Sequence, residues 1–274
     1  MREMTVKEVQ QVSLDILKDV HDFCEENHIR YSLSGGTLLG AIRHDGFIPW
    51  DDDLDIQLPR PDYEKLIHTY TSRKGYRLFC KEIGSGKGVS YTYARICEMK
   101  KTYVDTGVIP WIREETGVWI DILPCDGMPS NENEARKHLI KLGKQVRKHY
   151  LWGIKVSPFS NFKKGPNLNS KLKYMAKKIV AAFVRKDPFP ILQKERLLYE
   201  YSESDYFIGT PKNGMSEWQP KKNMEKFILH KFEDSMFYIM SGYDANLTSF
   251  FGNYMQLPPE DKRFTHNYNK YYWK

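Results

Sequence analysis

No run of apolar residues in this 274-residue chain approaches the roughly 18–20 that a membrane-crossing helix needs, which excludes a helical membrane-spanning protein. Cysteine is scarce. Cys24, Cys80, Cys97 and Cys125 stand far apart with no Cys-x-x-Cys pair, which argues against a zinc ribbon or a disulfide scaffold and fits a reduced, cytoplasmic chain. The opening Met1–Glu8 lacks the apolar core of a signal peptide. Internal repeats and low-complexity tracts are absent as well. Acidic residues are missing from one long segment: Arg136 to Lys186 holds fifteen Lys and Arg and no Asp or Glu. What is present is a 41% hydrophobic, 14% aromatic composition, enough to bury a sizeable core and to exclude dominant disorder. The formal charge of +7, from 42 basic and 35 acidic residues, therefore averages two unlike parts. Outside the basic segment, 27 basic residues face all 35 acids.

Local patterns predict the elements. Thr5 and Glu8 have capping-box spacing, and Val9, Val12, Ile16, Val20 and Phe23 recur at helical intervals, so residues 5–28 read as an amphipathic helix. Short strands are expected at 31–33, 53–58, 77–81, 89–97 and 118–123, the last ended by Pro124 and Asp126-Gly127. Short helices are expected at 37–43 and from Pro61 to about 73. Beyond Pro129 the pattern turns helical, at 132–151, 170–186 and 191–202, with a strand at 206–210 and an aromatic-rich tail. These elements give an α+β class, a mixed sheet flanked by helices. They divide the chain into 1–130, a basic helical insertion at 131–205, and 206–274 completing the core.

Chemistry concentrates in Ser34-Gly35-Gly36-Thr37 and in Asp51-Asp52-Asp53-Leu54-Asp55. Paired glycines after a strand let backbone N–H groups approach an anion, and a helix starting there adds its own unpaired N–H groups. Asp53 and Asp55, two apart on a strand, would face the same way and repel unless a cation lies between them. Hard oxygen ligands suit Mg²⁺ or Mn²⁺. Asp121, within Trp119-Ile120-Asp121-Ile122, is a third acid on an apolar strand. It needs a partner there, either a metal or a buried arginine.

The order of these blocks resembles the LicD/fukutin family of phosphotransferases. The resemblance extends through Gly117–Pro124 and Asp126-Gly127, and returns at Gly242-Tyr243-Asp244, Phe251–Met255 and Leu257–Arg263, with His266 beyond. Asn253 stands where the family often has Asp, and residues 130–215 match poorly. The resemblance implies a nucleotidyltransferase-like fold, phosphate held at Gly35 and Gly36, and a metal and catalytic triad of Asp53, Asp55 and Asp121. It also implies transfer of phosphocholine from CDP-choline to a sugar hydroxyl of a teichoic acid, lipopolysaccharide or capsule precursor. Ribitol or glycerol phosphate is the alternative cargo. Thr37, Arg43, Arg95, Lys262, Arg263 and His266 are candidate phosphate or nucleotide contacts. Aromatic faces bind quaternary ammonium groups, which makes Tyr91, Tyr93, Trp111, Trp119 and Trp218 candidate choline-cage members. Tyr91, Tyr93 and Arg95 share one strand face by period two.

The segment 136–186 contains an apolar stripe, Leu172, Met175, Ala176, Ile179, Val180, Phe183 and Val184, flanked by lysines. Such a helix either packs its stripe on the core or lies on an anionic membrane. A lipid-linked acceptor would place the chain at the inner face of the membrane. A nucleotidyltransferase, a glycosyltransferase and a nucleic-acid-binding protein are the competing classes. No nucleic-acid reading motif is recognisable.

Overall fold

Thr5 opens the first long helix as its spacing predicts. The Thr5 hydroxyl accepts from the Glu8 N–H (3.3 Å) and the Glu8 carboxylate accepts from the Thr5 N–H (2.8 Å). The computed structural model describes residues 1–85, 91–105, 116–156, 168–211, 214–265 and 269–274. After β1 (Arg2–Glu3), helix α1 (Val6–Glu26) buries Val9, Val12, Ile16 and Val20 in the main core. There follow β2 (Ser32–Leu33), α2 (Gly35–His44), β3 (Asp55–Pro59), α3 (Arg60–Thr69), β4 (Arg77–Phe79), β5 (Ala94–Cys97), β6 (Thr102–Asp105) and β7 (Trp119–Met128).

The central sheet runs β2-β3-β7-β5-β4, and β3 and β7 are parallel while the other neighbours are antiparallel. This mixed sheet with flanking helices is the expected α+β architecture. Three details differ from the sequence expectation: β5 begins at Ala94, so Tyr91 and Tyr93 precede the strand and do not share its face with Arg95, and two more concern β3 and β7. β3 begins at Asp55, so Asp53 precedes the strand and the alternation argument does not place it. β7 continues through Pro124 to Met128 because it changes partner: Asp55–Pro59 line its first part, and β8 (Tyr206–Ile208) pairs with Asp126–Met128.

The basic segment and the residues just after it form α4 (Glu132–Val156), α5 (Leu168–Ala182) and α6 (Phe189–Arg196). The tail resolves into β9 (Gln219–Pro220), a β10–β11 hairpin (Phe227–Phe232, Ser235–Met240), α7 (Tyr243–Phe251) and β12 (Lys270–Trp273). β12 lies between β1 and β6 and joins the two ends of the chain. The Met240 N–H donates to Ser32 Oγ (2.8 Å), fastening the hairpin to β2.

A buried ion cluster ties α6 to the sheet. Asp126 of β7 accepts from Arg60 Nε and Arg196 Nε, both at 2.6 Å. Arg60 Nη1 also reaches Glu64 (3.0 Å) and Glu82 (3.2 Å), and Arg196 donates to the Thr92 carbonyl. Removing one member leaves an uncompensated buried charge. We expect Arg196→Ala to lower unfolding stability by ~3–5 kcal/mol in urea titration; a loss below ~1 kcal/mol, the level of an exposed pair, would refute a structural role for the cluster.

Candidate active site

The β2–α2 junction sets the site. Ser34 N–H donates to the Asp55 carbonyl (3.0 Å), and the Thr37 hydroxyl accepts from the Asp55 N–H (2.9 Å). α2 therefore starts directly against the first residue of β3. Gly35 has φ +54°, a left-handed conformation that disfavours a side chain. At Gly36 a Cβ would stand 2.7 Å from Asp51 Oδ2, so a side chain there would push that carboxylate aside. The two glycines thus form the first turn of a helix whose N-terminus faces the acidic residues. Thr37 is buried, and its hydroxyl serves the backbone of β3.

The carboxylates converge in two sets. Asp51, Asp52 and Asp53 each offer an oxygen, all within 4.8 Å of one another. Gln10 donates to the carbonyls of Ile48 (3.2 Å) and Asp51 (2.8 Å), which holds this loop in place. Asp55 and Asp121 are register partners on parallel strands, and Arg95 is the partner of Asp121 on β5. Asp55, Asp121 and Arg95 therefore form a row across three adjacent strands. Burial pushes the Asp55 carboxyl well above the usual range, and the negative charges of Asp121, Asp53 and Asp51 push it further. Asp121 is also raised, chiefly by burial, against the opposing pull of Arg95. Tyr271, delivered by β12, has its phenol raised by burial and then by Asp52 and Asp53. Sequence reasoning did not select it, and the aromatic density of the tail was the only signal.

Arg95 is engaged inside the protein. Its Nε pairs with Asp121 Oδ1, and Nη2 lies 3.3 Å from Oδ2, which also accepts from the Tyr93 hydroxyl (3.3 Å). The guanidinium carbon sits 3.5 Å from the Tyr91 ring centre, 4.3 Å from that of Trp119 and 5.7 Å from that of Tyr93. Three rings expected to cage choline thus enclose a cation of the protein itself.

The other candidates separate. Arg43 Nη1 donates to the Tyr254 carbonyl (3.0 Å), and its Nε to His44 Nε2 (3.0 Å). Arg263 donates to the Pro258 carbonyl (2.9 Å) and lies 5.7 Å from the Trp50 ring. Burial and then the charge of Arg263 lower the Arg43 pKa, and Trp50, the residue before the acidic run, is the ring that Arg263 faces. Lys262 is exposed on the short turn Glu260–Lys262. Trp218 stacks on Tyr206 with ring centres 4.1 Å apart and donates to the Pro129 carbonyl (3.2 Å). Tyr206 pairs with Met128, seven residues along β7 from Asp121, or about 23 Å at strand rise, so Trp218 lies away from the acidic row. Trp111 and His266 lie outside the described residues.

Comparison with known proteins gives this arrangement a family. Residues 28–163 match the family model described as LicD/FKTN/FKRP, nucleotidyltransferase domain. The chain is 31% identical over 281 aligned residues to the lipopolysaccharide cholinephosphotransferase LicD of Haemophilus influenzae, covering 99% of both chains. Shorter segments resemble uncharacterized proteins of Rickettsia prowazekii (39% over 77 residues, 24% of this chain and 29% of the other) and Rickettsia typhi (37% over 82 residues, 28% and 26%). With its glycine turn, its acidic run and its third acid all inside residues 28–163 and the likeness continuing to both ends, the chain belongs to the LicD/fukutin family and is a LicD-like phosphotransferase.

Proposed function

We propose that this enzyme transfers phosphocholine from CDP-choline to a sugar hydroxyl of a lipid-linked cell-surface glycan precursor, of the lipopolysaccharide, teichoic acid or capsule type, and releases CMP. The full-length similarity to a cholinephosphotransferase carries this reading. The site supports it, because phosphoryl transfer needs positioning and charge neutralisation and no covalent nucleophile. The donor set is made of carboxylate oxygens alone, which fits Mg²⁺ or Mn²⁺. Asp51, Asp52, Asp53 and Asp55 would hold such an ion, with Asp121 fixed beside them by Arg95. When bound, it would offset the negative charge of the diphosphate and of the departing CMP. The α2 N-terminus at Gly35 and Gly36 would receive phosphate oxygens, and Arg43 and Arg263 would bind the nucleotide phosphates. The acceptor oxygen attacks the phosphorus of phosphocholine, the phosphorus–oxygen bond to CMP breaks, and a carboxylate of the row takes the hydroxyl proton.

One observation favours a second cargo. With Tyr91, Tyr93 and Trp119 closed on Arg95, those rings offer no free cage for a quaternary ammonium. Ribitol phosphate or glycerol phosphate, which needs hydroxyl-binding groups instead, therefore stays as the alternative.

Three outcomes test the proposal. Purified enzyme with divalent cation and a glycan acceptor should release CMP from CDP-choline in preference to CDP-ribitol and CDP-glycerol. Pyrophosphate or UDP as the product would reassign the reaction to nucleotidyl or glycosyl transfer, and equal use of the three donors would remove choline. Asp53→Asn and Asp55→Asn should each lower kcat by ~10²-fold or more while circular dichroism stays unchanged. Retained turnover in either folded variant would sink its assignment.

The third outcome concerns pH. A carboxyl whose folded pKa is raised, as for Asp55 and Asp121, contributes stability that is complete below about pH 4 and is lost as pH rises through the folded value. In chelator, Asp55→Asn should therefore raise Tm at neutral pH by a few degrees, on the scale of ~2–4 °C per kcal/mol. Divalent cation should raise the wild-type Tm more at pH 8 than at pH 5, with protons released on binding. A cation effect that shrinks as pH rises would contradict the cation site.

A further inference from the structure

A helix with the pattern of α5 ordinarily turns its apolar stripe inward. Here it turns other residues inward. Tyr174 and Ala181 pack on Ile154 of α4, and Lys178 Nζ donates to the carbonyls of Ile154 (3.0 Å) and Lys155 (3.1 Å), satisfying the open end of α4. This orientation leaves Leu168, Leu172, Ile179, Val180 and Phe183 at 70%, 58%, 62%, 53% and 82% exposure. Their spacing of i, i+4, i+11, i+12 and i+15 is a single stripe along the helix and the turn after it. No described residue covers that stripe.

The charge around it is of one sign. Lys173 and Lys177 are exposed along one edge, Arg185 and Lys186 are exposed at its end, and α4 adds six more exposed Lys and Arg. No Asp or Glu occurs between Glu134 and Asp187. A second copy of the chain would bring an equally basic lobe against this one, so like charges oppose self-association through the stripe. At 15 residues α5 is too short to cross a bilayer. An apolar stripe flanked by lysines instead matches the plane of an anionic lipid surface. There the apolar side chains enter the acyl boundary and the ammonium groups reach back to lipid phosphates.

We propose that α5 is a membrane-docking helix, lying in the plane of an anionic bilayer with Leu172, Ile179 and Phe183 inserted and Lys173 and Lys177 at the headgroups. The proposal rests on the exposed stripe and its charge, and stands apart from the identity of the transferred group.

The test uses the full chain and vesicles of phosphatidylglycerol or phosphatidylcholine. Cosedimentation is expected with phosphatidylglycerol at low salt, weakened at high salt, with far less on phosphatidylcholine. The double variant Ile179→Ser/Phe183→Ser should bind phosphatidylglycerol vesicles about tenfold more weakly or worse. Lys173→Glu should weaken binding at low salt and matter little at high salt. Both variants should keep the wild-type Tm, since the altered positions are exposed, and should release CMP normally with a water-soluble acceptor. That last readout separates failure of docking from failure of the transfer reaction. No binding to phosphatidylglycerol, or undiminished binding by the double variant, would overturn the proposal. So would a wild-type dimer that the double variant dissolves, which would give the stripe to a second copy.

Discussion

The constraint on which this structure turns is the repulsion among five carboxylates gathered at one end of the sheet. Asp51, Asp52 and Asp53 crowd their oxygens within 4.8 Å, and Asp55 and Asp121 face each other across a parallel strand pair. Nothing in the hydrophobic effect favours this arrangement, and burial makes it worse. The surrounding fold holds it by backbone means. The β3–β7 register fixes two of the acids, and Ser34 and Thr37 tie Asp55 to α2. Gln10 of α1 anchors the loop that carries the others. The glycines at 35 and 36 exist in this frame for reasons of space and φ, since a side chain at Gly36 would meet the Asp51 carboxylate. Residues that hold groups in a costly arrangement point to chemistry, because stability alone would have removed the charges.

Arg95 decides how much of that repulsion the protein settles internally. It pairs directly with Asp121, and its charge also acts on Asp55, the register partner of Asp121 on the next strand. Its guanidinium is delocalised and weakly hydrated, so it tolerates a box of aromatic faces that an ammonium would enter at greater cost. The box is joined to the rest of the fold. Thr92, between Tyr91 and Tyr93, accepts from Arg196, and Arg196 reaches Asp126, five residues beyond Asp121 on the same strand. One strand thus carries two acids with two uses. Asp126 is held by Arg60 and Arg196 and ties α6 to the sheet, while Asp121 stands between Asp55 and Arg95.

The local parts of this design were legible in the sequence and the long-range parts were not. Thr5 and Glu8 marked a helix start because a capping box involves residues three apart. Gly35-Gly36 and the acidic run stood out through their order along the chain, and the structure brings the two blocks against each other. Asp121 was open to two readings, metal or buried arginine, and its pairing with Arg95 follows from the β5–β7 register, which no local pattern encodes. Arg95 and the aromatics were read as ligand contacts because a guanidinium suits phosphate and internal carboxylate equally well, and rings suit choline and guanidinium equally well. Trp218 was drawn into the same set by type alone, and the pairing of β7 with β8 puts it elsewhere. For α5 the periodicity showed a stripe but could not show which side faces α4. The open carbonyls at the end of α4 settled that by taking Lys178.

The segregation of charge follows from the same logic. In the proposed reaction the carboxylates would repel a nucleotide diphosphate, so the donor would need positive charge that is fixed without being cancelled. Arg43 has that property: its donors go to the carbonyls of Tyr254 and Gln256, which orient the guanidinium and leave its charge in place. Burial and then the charge of Arg263 lower its pKa, while Arg263 itself lies 3.9 Å from Glu260. In the proposed reaction the two imbalances are complementary, because a cation on the carboxylates and a diphosphate on the arginines relieve both at once. The basic lobe is kept out of this balance. Had its fifteen cations been spread over the acidic body, ion pairs would have silenced the row as Arg95 silences Asp121. Confined to the helical segment that Arg196 ties to the sheet, they stay apart from the acids and, in the proposed reaction, would leave those to the substrate.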